Sequence, residues 1–409
     1  MRLYIDPGTG SMLFTILLGV LGVVLYSLRT AFVKLRFFLR GGKTGAEVEK
    51  GSSIVIFTDS KRYWNVFEPI CDEFEKRGED LEYLTASPDD PALTKSYVHV
   101  RCIFIGENNK ACAYMNTLRA DIVLSSTPSL DVFYWKRSGN VKWYAHIGHA
   151  CSDLTLYHMF GIDYFDAILI SGEYQAEQIR ALEKLRDLPE KELPMVGVPH
   201  LDTMKARLSC SDIPDHQRTV LLGPSWGKSG ILTTYGGEII RALLKTGYHI
   251  IIRPHPQSFV SEGELMDALM KEFPESEQLE WNRDNDNFEV LRRSDILISD
   301  FSGVVFDFSL VFDRPVIYAD AAFDKGPYDA WWLDEEPWTL RILPEIGRPL
   351  KREDLQNMKE LIDSSLLDTG LKQARDRARA ETWVYPGEGA KRTADYLIQK
   401  RNEINGVKQ

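Results

Sequence analysis

From Ser52 onward, short apolar runs rich in β-branched residues alternate with helical stretches, and the series restarts once. The first series occupies residues 53–58, 81–85, 101–106, 121–125, 141–146 and 167–171, with helical patterns such as 66–77 and 174–185 between them. The second occupies 219–225, 248–253, 295–299 and 315–319. Near-continuous apolar strands separated by helices predict a parallel sheet covered on both faces. A chain of 409 residues is too long for one ordinary core, so the two series read as two domains.

The polar segment from Arg207 to Gln217 separates the series and reads as a linker. The expected organisation is a membrane anchor with a basic juxtamembrane segment over 1–43, an amino-terminal Rossmann-like acceptor domain over 44–208, and a carboxy-terminal Rossmann-like donor domain over 209–409. A final helix is free to pack back on the first domain. The fold class is α/β, two doubly wound domains facing each other across a cleft in the GT-B-like layout, preceded by a membrane helix.

The anchor rests on charge and hydropathy. No charged residue lies between Asp6 and Arg29, and 12–28 is almost wholly apolar. As a helix it is just long enough to cross a bilayer core of about 30 Å. Residues 1–43 carry six basic side chains (Arg2, Arg29, Lys34, Arg36, Arg40, Lys43) against Asp6 alone, within a chain of net charge -11. The basic residues mostly follow the apolar run, which places the body in the cytoplasm. No small-x-small cleavage site follows, as a signal peptide would require. The basic amphipathic stretch 31–40 keeps an interfacial helix open as the other reading. The acidic body argues against nucleic-acid binding. Five scattered cysteines without CxxC spacing give neither a disulfide framework nor a zinc site.

Polar residues cluster where strands end. Ile250-Ile251-Ile252-Arg253-Pro254-His255-Pro256 presents a planar guanidinium and an imidazole at the carboxyl end of a strand, held stiff by two prolines. Ser294 to Phe308 reads as a buried strand, a polar turn and an apolar helix, a place for an anion. There Ser302 caps the helix or bonds the ligand, Gly303 lets a phosphate approach the backbone, and Asp300 orients either. Asp307, set among Val304-Val305-Phe306 and Phe308, needs a specific partner, because an unpaired buried carboxylate is costly.

In the first half, Ala145-His146-Ile147-Gly148-His149 ends a strand and supplies two of the eight histidines. Either one facing the cleft is a candidate general base, and spacing does not choose between them. No acidic or cysteine partner is spaced to make His146-x-x-His149 a zinc site. His99, His158, His200, His216 and His249 read as packed or solvated. Gly223-Pro224-Ser225-Trp226-Gly227-Lys228-Ser229-Gly230 falls short of the phosphate-loop spacing, since Gly223 and Gly227 are four apart where five are needed. It reads as a turn beside the cleft, with Ser225 a donor contact.

These motifs together resemble the CDP-glycerol glycerophosphotransferase family, the membrane-associated enzymes of teichoic acid synthesis. The residues that carry the resemblance are Gly197-Val198-Pro199-His200-Leu201-Asp202, Pro224-Ser225-Trp226, Arg253-Pro254-His255-Pro256 and Ser299-Asp300-Phe301-Ser302-Gly303 with Asp307. Tyr4 to Ser11 and Lys61 to Phe67 look like a membrane-anchored branch. The resemblance implies transfer of glycerol phosphate, or a related polyol phosphate, from a CDP-activated donor to a hydroxyl of a lipid-linked acceptor, releasing CMP. Arg253, His255, Ser302 and Gly303 would hold the pyrophosphate, and a first-domain histidine would activate the acceptor. The family's His-Gly-Thr-Pro stands here as His146-Ile147-Gly148-His149, and its Ser-Ser pair as Ser302-Gly303.

The expected catalytic residues are therefore His149, His146 and His255. The donor phosphates fall to Arg253, His255, Asp300, Ser302, Gly303, Asp307 and Ser225. No cofactor is implied; Asp300 and Asp307 are the carboxylates a divalent cation would use. The expected partners are CDP-glycerol or another CDP-polyol, a lipid-linked acceptor and the membrane. A GT-B glycosyltransferase using a UDP-sugar and a non-catalytic, nucleotide-binding scaffold of an envelope complex are the competing readings.

Overall fold

The computed structural model describes residues 52–133, 135–212, 215–284, 286–320 and 323–407. The apolar run 12–28, the stretch 31–40 and the leading 4–11 lie outside the described residues. Among the described residues no helix is long and apolar enough to cross a membrane.

Two six-stranded sheets form, each parallel throughout. The first contains β1 (Ser52–Thr58), β2 (Leu81–Thr85), β3 (Val100–Phe104), β4 (Ala120–Ser125), β5 (Val141–Ile147) and β6 (Ala167–Leu169), in the order β3-β2-β1-β4-β5-β6. The second contains β7 (Thr219–Leu222), β8 (His249–Ile252), β9 (Leu279–Trp281), β10 (Ile296–Ser299), β11 (Val316–Ala319) and β12 (Gly347–Leu350), in the order β12-β11-β10-β7-β8-β9. Counted from its own first strand, the second sheet has the same 3-2-1-4-5-6 order as the first. Each therefore has one switch point where the order reverses, β1/β4 and β7/β10, and a crevice opens at the carboxyl ends there.

Strand interiors explain the legible pattern. Ile54, Val55, Ile56, Ile250, Ile251, Ile252, Ile296, Leu297 and Ile298 are all fully buried, as expected of sheets with helices on both faces. The helix Trp64–Arg77 lays Val66, Phe67, Ile70, Cys71 and Phe74 on the first sheet and stops at Gly78, whose φ of 68° gives the left-handed cap. The linker reading is too long at its start: the helix Pro199–Ser209 already includes Arg207 to Ser209.

The chain then returns. After the helix Gly370–Thr382 it crosses back, and the last helix, Gly389–Ile404, buries Ala394 and Leu397 in the same core as Phe67, Phe74 and Ile54. Asp202 holds this crossover: its carboxylate accepts from Trp383 Nε1 at 2.8 Å, Gly387 N at 2.6 Å and Gly389 N at 2.8 Å. Gly197, at φ 86°, passes so close beneath that a Cβ would lie 2.4 Å from Val384 O. The motif 197–202 thus has a structural duty. Between the domains the contact is aromatic, Tyr174 stacking on Trp338 and Trp338 on Phe306.

Candidate active site

Loops from both sheets converge on one cavity of about 300 Å³. Arg62, Tyr63, Asn65, His149 and His200 line it from the first domain. Arg253, His255, Asn287, Ser302, Gly303 and Asp307 line it from the second.

Arg253 and His255 follow β8. The Arg253 amide continues the ladder to Leu222 O at 2.9 Å, which fixes where the side chain leaves the sheet. Its Nη2 donates to Asp284 O at 2.8 Å, while its buried Nε has no acceptor among the described residues. Burial pulls the guanidinium down from its ordinary value, and Asp284, Asp286 and Asp307 oppose that. His255 Nδ1 accepts from Gln257 N at 3.1 Å, so its proton sits on Nε2. Burial first, then the charges of Arg62 and Arg253, push its pKa down to about 4. The ring is neutral near pH 7 and is a donor through Nε2.

The polar turn after β10 is more specialised than the sequence suggested. Asp300 is 2% exposed, and its carboxylate accepts from Ser225 N, Ile231 N and Ser302 N at 2.9 to 3.1 Å. It ties the turn after β7 to the turn after β10. This corrects the expectation that Asp300 contacts donor phosphate, because its carboxylate is taken up by three amides and positions the turn; Ser225 joins it through its backbone N–H and is not among the residues that line the cavity. Ser302, Gly303 and Val304 do line the cavity. Gly227 N is likewise taken, by Glu262 Oε1 at 2.5 Å, so the glycine-rich turn 223–230 is no phosphate cradle.

Asp307 opens a π-helical turn, Asp307–Val311, a distortion common at functional sites. It has the partners its burial demanded, Asn287 Nδ2 at 2.9 Å and His200 Nε2 at 3.9 Å.

The two first-domain histidines part company. His146 is fully buried, its Nε2 3.0 Å from Tyr157 OH and its ring against Phe165. Burial takes its pKa to about 3. It does not reach the cavity, so its place among the catalytic residues is corrected: it packs beneath the site. His149 does line the cavity, its ring 5.1 Å from Tyr63. Burial and His200 lower its pKa, and Asp307 across the cleft raises it. Among the described residues no group of three or more His, Cys, Asp or Glu is placed to hold a metal ion.

Sequence reading missed His200, Arg62, Tyr63, Asn65 and Asn287. The sequence alone reads His200 as packed or solvated, although it stands in the 197–202 motif at the start of a helix. Asn287 carried no signal, because only the folded chain brings it to Asp307.

Two parallel-sheet α/β domains, with a cavity between them lined by His149, His200, His255, Arg62 and Arg253, are consistent with a GT-B-like fold. Residues 163–331 match the model of the CDP-Glycerol:Poly(glycerophosphate) glycerophosphotransferase family. The teichoic acid glycerol-phosphate primase of Bacillus spizizenii is 23% identical over 255 residues, a match covering 56% of this chain and 62% of that protein. The chain thus spans somewhat less than two thirds of that relative's length.

Among solved structures, a substituted form of the wall teichoic acid polymerase TagF soaked with CDPG superposes with a TM-score of 0.59 at 16% identity, covering 94% of this chain and 99% of that one. A putative UDP-N-acetylglucosamine 2-epimerase from Listeria monocytogenes gives 0.54 at 13% identity, covering 88% and 98%. At these identities the likeness is one of fold.

Proposed function

We propose that the cleft transfers glycerol phosphate from CDP-glycerol to a hydroxyl of a lipid-linked acceptor and releases CMP. The observation that carries this is the meeting of His149 with Arg253, His255 and Ser302 in one cavity, in a chain whose residues 163–331 match that family's model. Arg253, with its free Nε–H, and His255 Nε2–H are the donors for the two phosphates. The acceptor oxygen attacks the β-phosphorus and gives its proton to neutral His149. The bond from that phosphorus to the bridging oxygen breaks, and its electron pair leaves with CMP. Asp307 favours the imidazolium that results. Positioning and charge neutralisation supply most of the rate.

The test is CMP release from CDP-glycerol by the full chain and by His149→Asn, with binding of CDP-glycerol, CDP-ribitol and UDP-N-acetylglucosamine measured on both. Loss of turnover by a factor of roughly 10² to 10⁴ with donor binding intact supports a base at His149. Preference for the UDP-sugar would make the chain a glycosyltransferase, and donor binding without turnover in the wild type a scaffold. Membrane attachment through 12–28 belongs to the same proposal; a Leu17→Arg variant that fractionates with membranes as the wild type does would refute it.

A further inference from the structure

The first sheet has its own switch point, between β1 and β4, and the residues that leave it are not used by the donor site. After Thr58 the chain turns tightly. Thr58 Oγ1 donates to Ser60 O at 2.9 Å, Ser60 Oγ accepts from Arg62 N at 3.4 Å, and Lys61 N donates to Ser87 Oγ at 3.0 Å. Trp64, Val66 and Phe67 then sink into the core and fix the helix that follows. This leaves Arg62, Tyr63 and Asn65 on the cavity wall opposite Arg253.

The two cations of the turn have different fates. Lys61 is engaged by Asp89. Arg62 has no ion pair and no side-chain hydrogen bond among the described residues. The nearest acid in sequence, Asp59, accepts from Thr127 Oγ1 at 3.1 Å and feels the charge of Arg62 without forming an ion pair with it. The charge of Arg62 nevertheless reaches the donor side, where it helps hold His255 down. The guanidinium of Arg62 on the first-domain wall and that of Arg253 on the other put two fixed cations on separate walls of one cavity, while His255 is neutral near pH 7. Arg62 also adjoins Tyr63, the residue whose ring rests on His149.

We propose that Arg62, with Asn65, forms a second phosphate subsite on the first-domain wall, and that it binds the phosphate next to the acceptor's attacking hydroxyl. The subsite rests on the transferase reading above, and the family's description names a poly(glycerophosphate), an acceptor with a phosphate beside each free hydroxyl. A guanidinium suits it because it forks onto two oxygens. Holding that phosphate sets the hydroxyl beside His149, while the donor is held from the opposite wall.

The test uses the full chain as wild type, Arg62→Ala, Arg62→Lys and Arg253→Ala. Two titrations are made on each: CDP-glycerol alone, and sn-glycerol 3-phosphate with CMP present to occupy the donor site. Arg62→Ala is expected to weaken glycerol 3-phosphate by roughly ten- to a hundred-fold, the range of a charge-assisted bond, and to leave CDP-glycerol within about two-fold. Arg253→Ala should show the reverse, and Arg62→Lys partial recovery. Unchanged glycerol 3-phosphate binding in Arg62→Ala, no binding to the wild type, or a loss of CDP-glycerol equal to that in Arg253→Ala each overturns the subsite. If no protein binds CDP-glycerol the transferase reading falls instead, while Arg62-dependent binding of glycerol 3-phosphate would still uphold the phosphate subsite.

Discussion

Asn287 donates its side-chain amide to Asp307 Oδ2 at 2.9 Å, the same carboxylate oxygen that faces His200 Nε2 at 3.9 Å. The bond pins the first residue of the π-helical turn. Replacing Asn287 by Ala leaves a nearly buried carboxylate oxygen short of one donor. The expected cost is about 1–3 kcal/mol in urea unfolding, with Asn287→Asp worse because it sets two acids together. Equal stability of Asn287→Ala and the wild type would show that water replaces the amide freely.

Acid should weaken the fold through its histidines. Burial holds His146 at about 3 and His255 at about 4, against an ordinary 6.5. Below pH 6.5 the unfolded chain binds protons that the folded chain refuses. Stability is therefore fully present above about pH 6.5 and declines as pH falls toward 4 and then 3. Urea midpoints at pH 7, 6 and 5 should fall in that order, and His255→Asn should flatten the trend.

Asp202→Ala removes the acceptor for three donors at once, Trp383 Nε1 and the amides of Gly387 and Gly389. About 1–3 kcal/mol of stability should be lost. Hydrogen exchange should locate the opening in residues 383–404. A variant whose exchange rises around the cavity but not in that segment would assign Asp202 to the ligand instead.

Gly303→Ser should fold normally. The residue has φ -57° as the cap of its helix, and an added Cβ would meet only Ala150 Cβ at 3.6 Å, an ordinary contact. The stability change is expected within about 0.5 kcal/mol. The added hydroxyl enters the donor side, so any change should appear in donor affinity. Thermal unfolding and a donor titration check both halves of this expectation.

Much of the architecture was legible because buried parallel strands write themselves as apolar runs. β9 and β12 escaped because they are three- and four-residue edge strands, and Pro349 and Arg348 disguise the second. Arg253, His255, Ser302, Gly303 and Asp307 were found because strand-end polarity is local in sequence. Arg62, His200 and Asn287 were not, because Arg62 and His200 stand in motifs whose local pattern gives no sign of which side chain faces the cleft, and Asn287 meets Asp307 only in the folded chain. Asp300 misled for the opposite reason: its motif is conspicuous, but its carboxylate is consumed by three backbone amides.

The crossover held by Asp202 has a consequence for how the protein is made. Ala394 and Leu397 fill the core begun by Ile54 and Phe67, more than three hundred residues earlier. The domain that leaves the ribosome first is therefore the last to be finished. Until the final helix is synthesised, its sheet keeps an uncovered apolar face, and a chain broken off before residue 389 leaves that face open to aggregation.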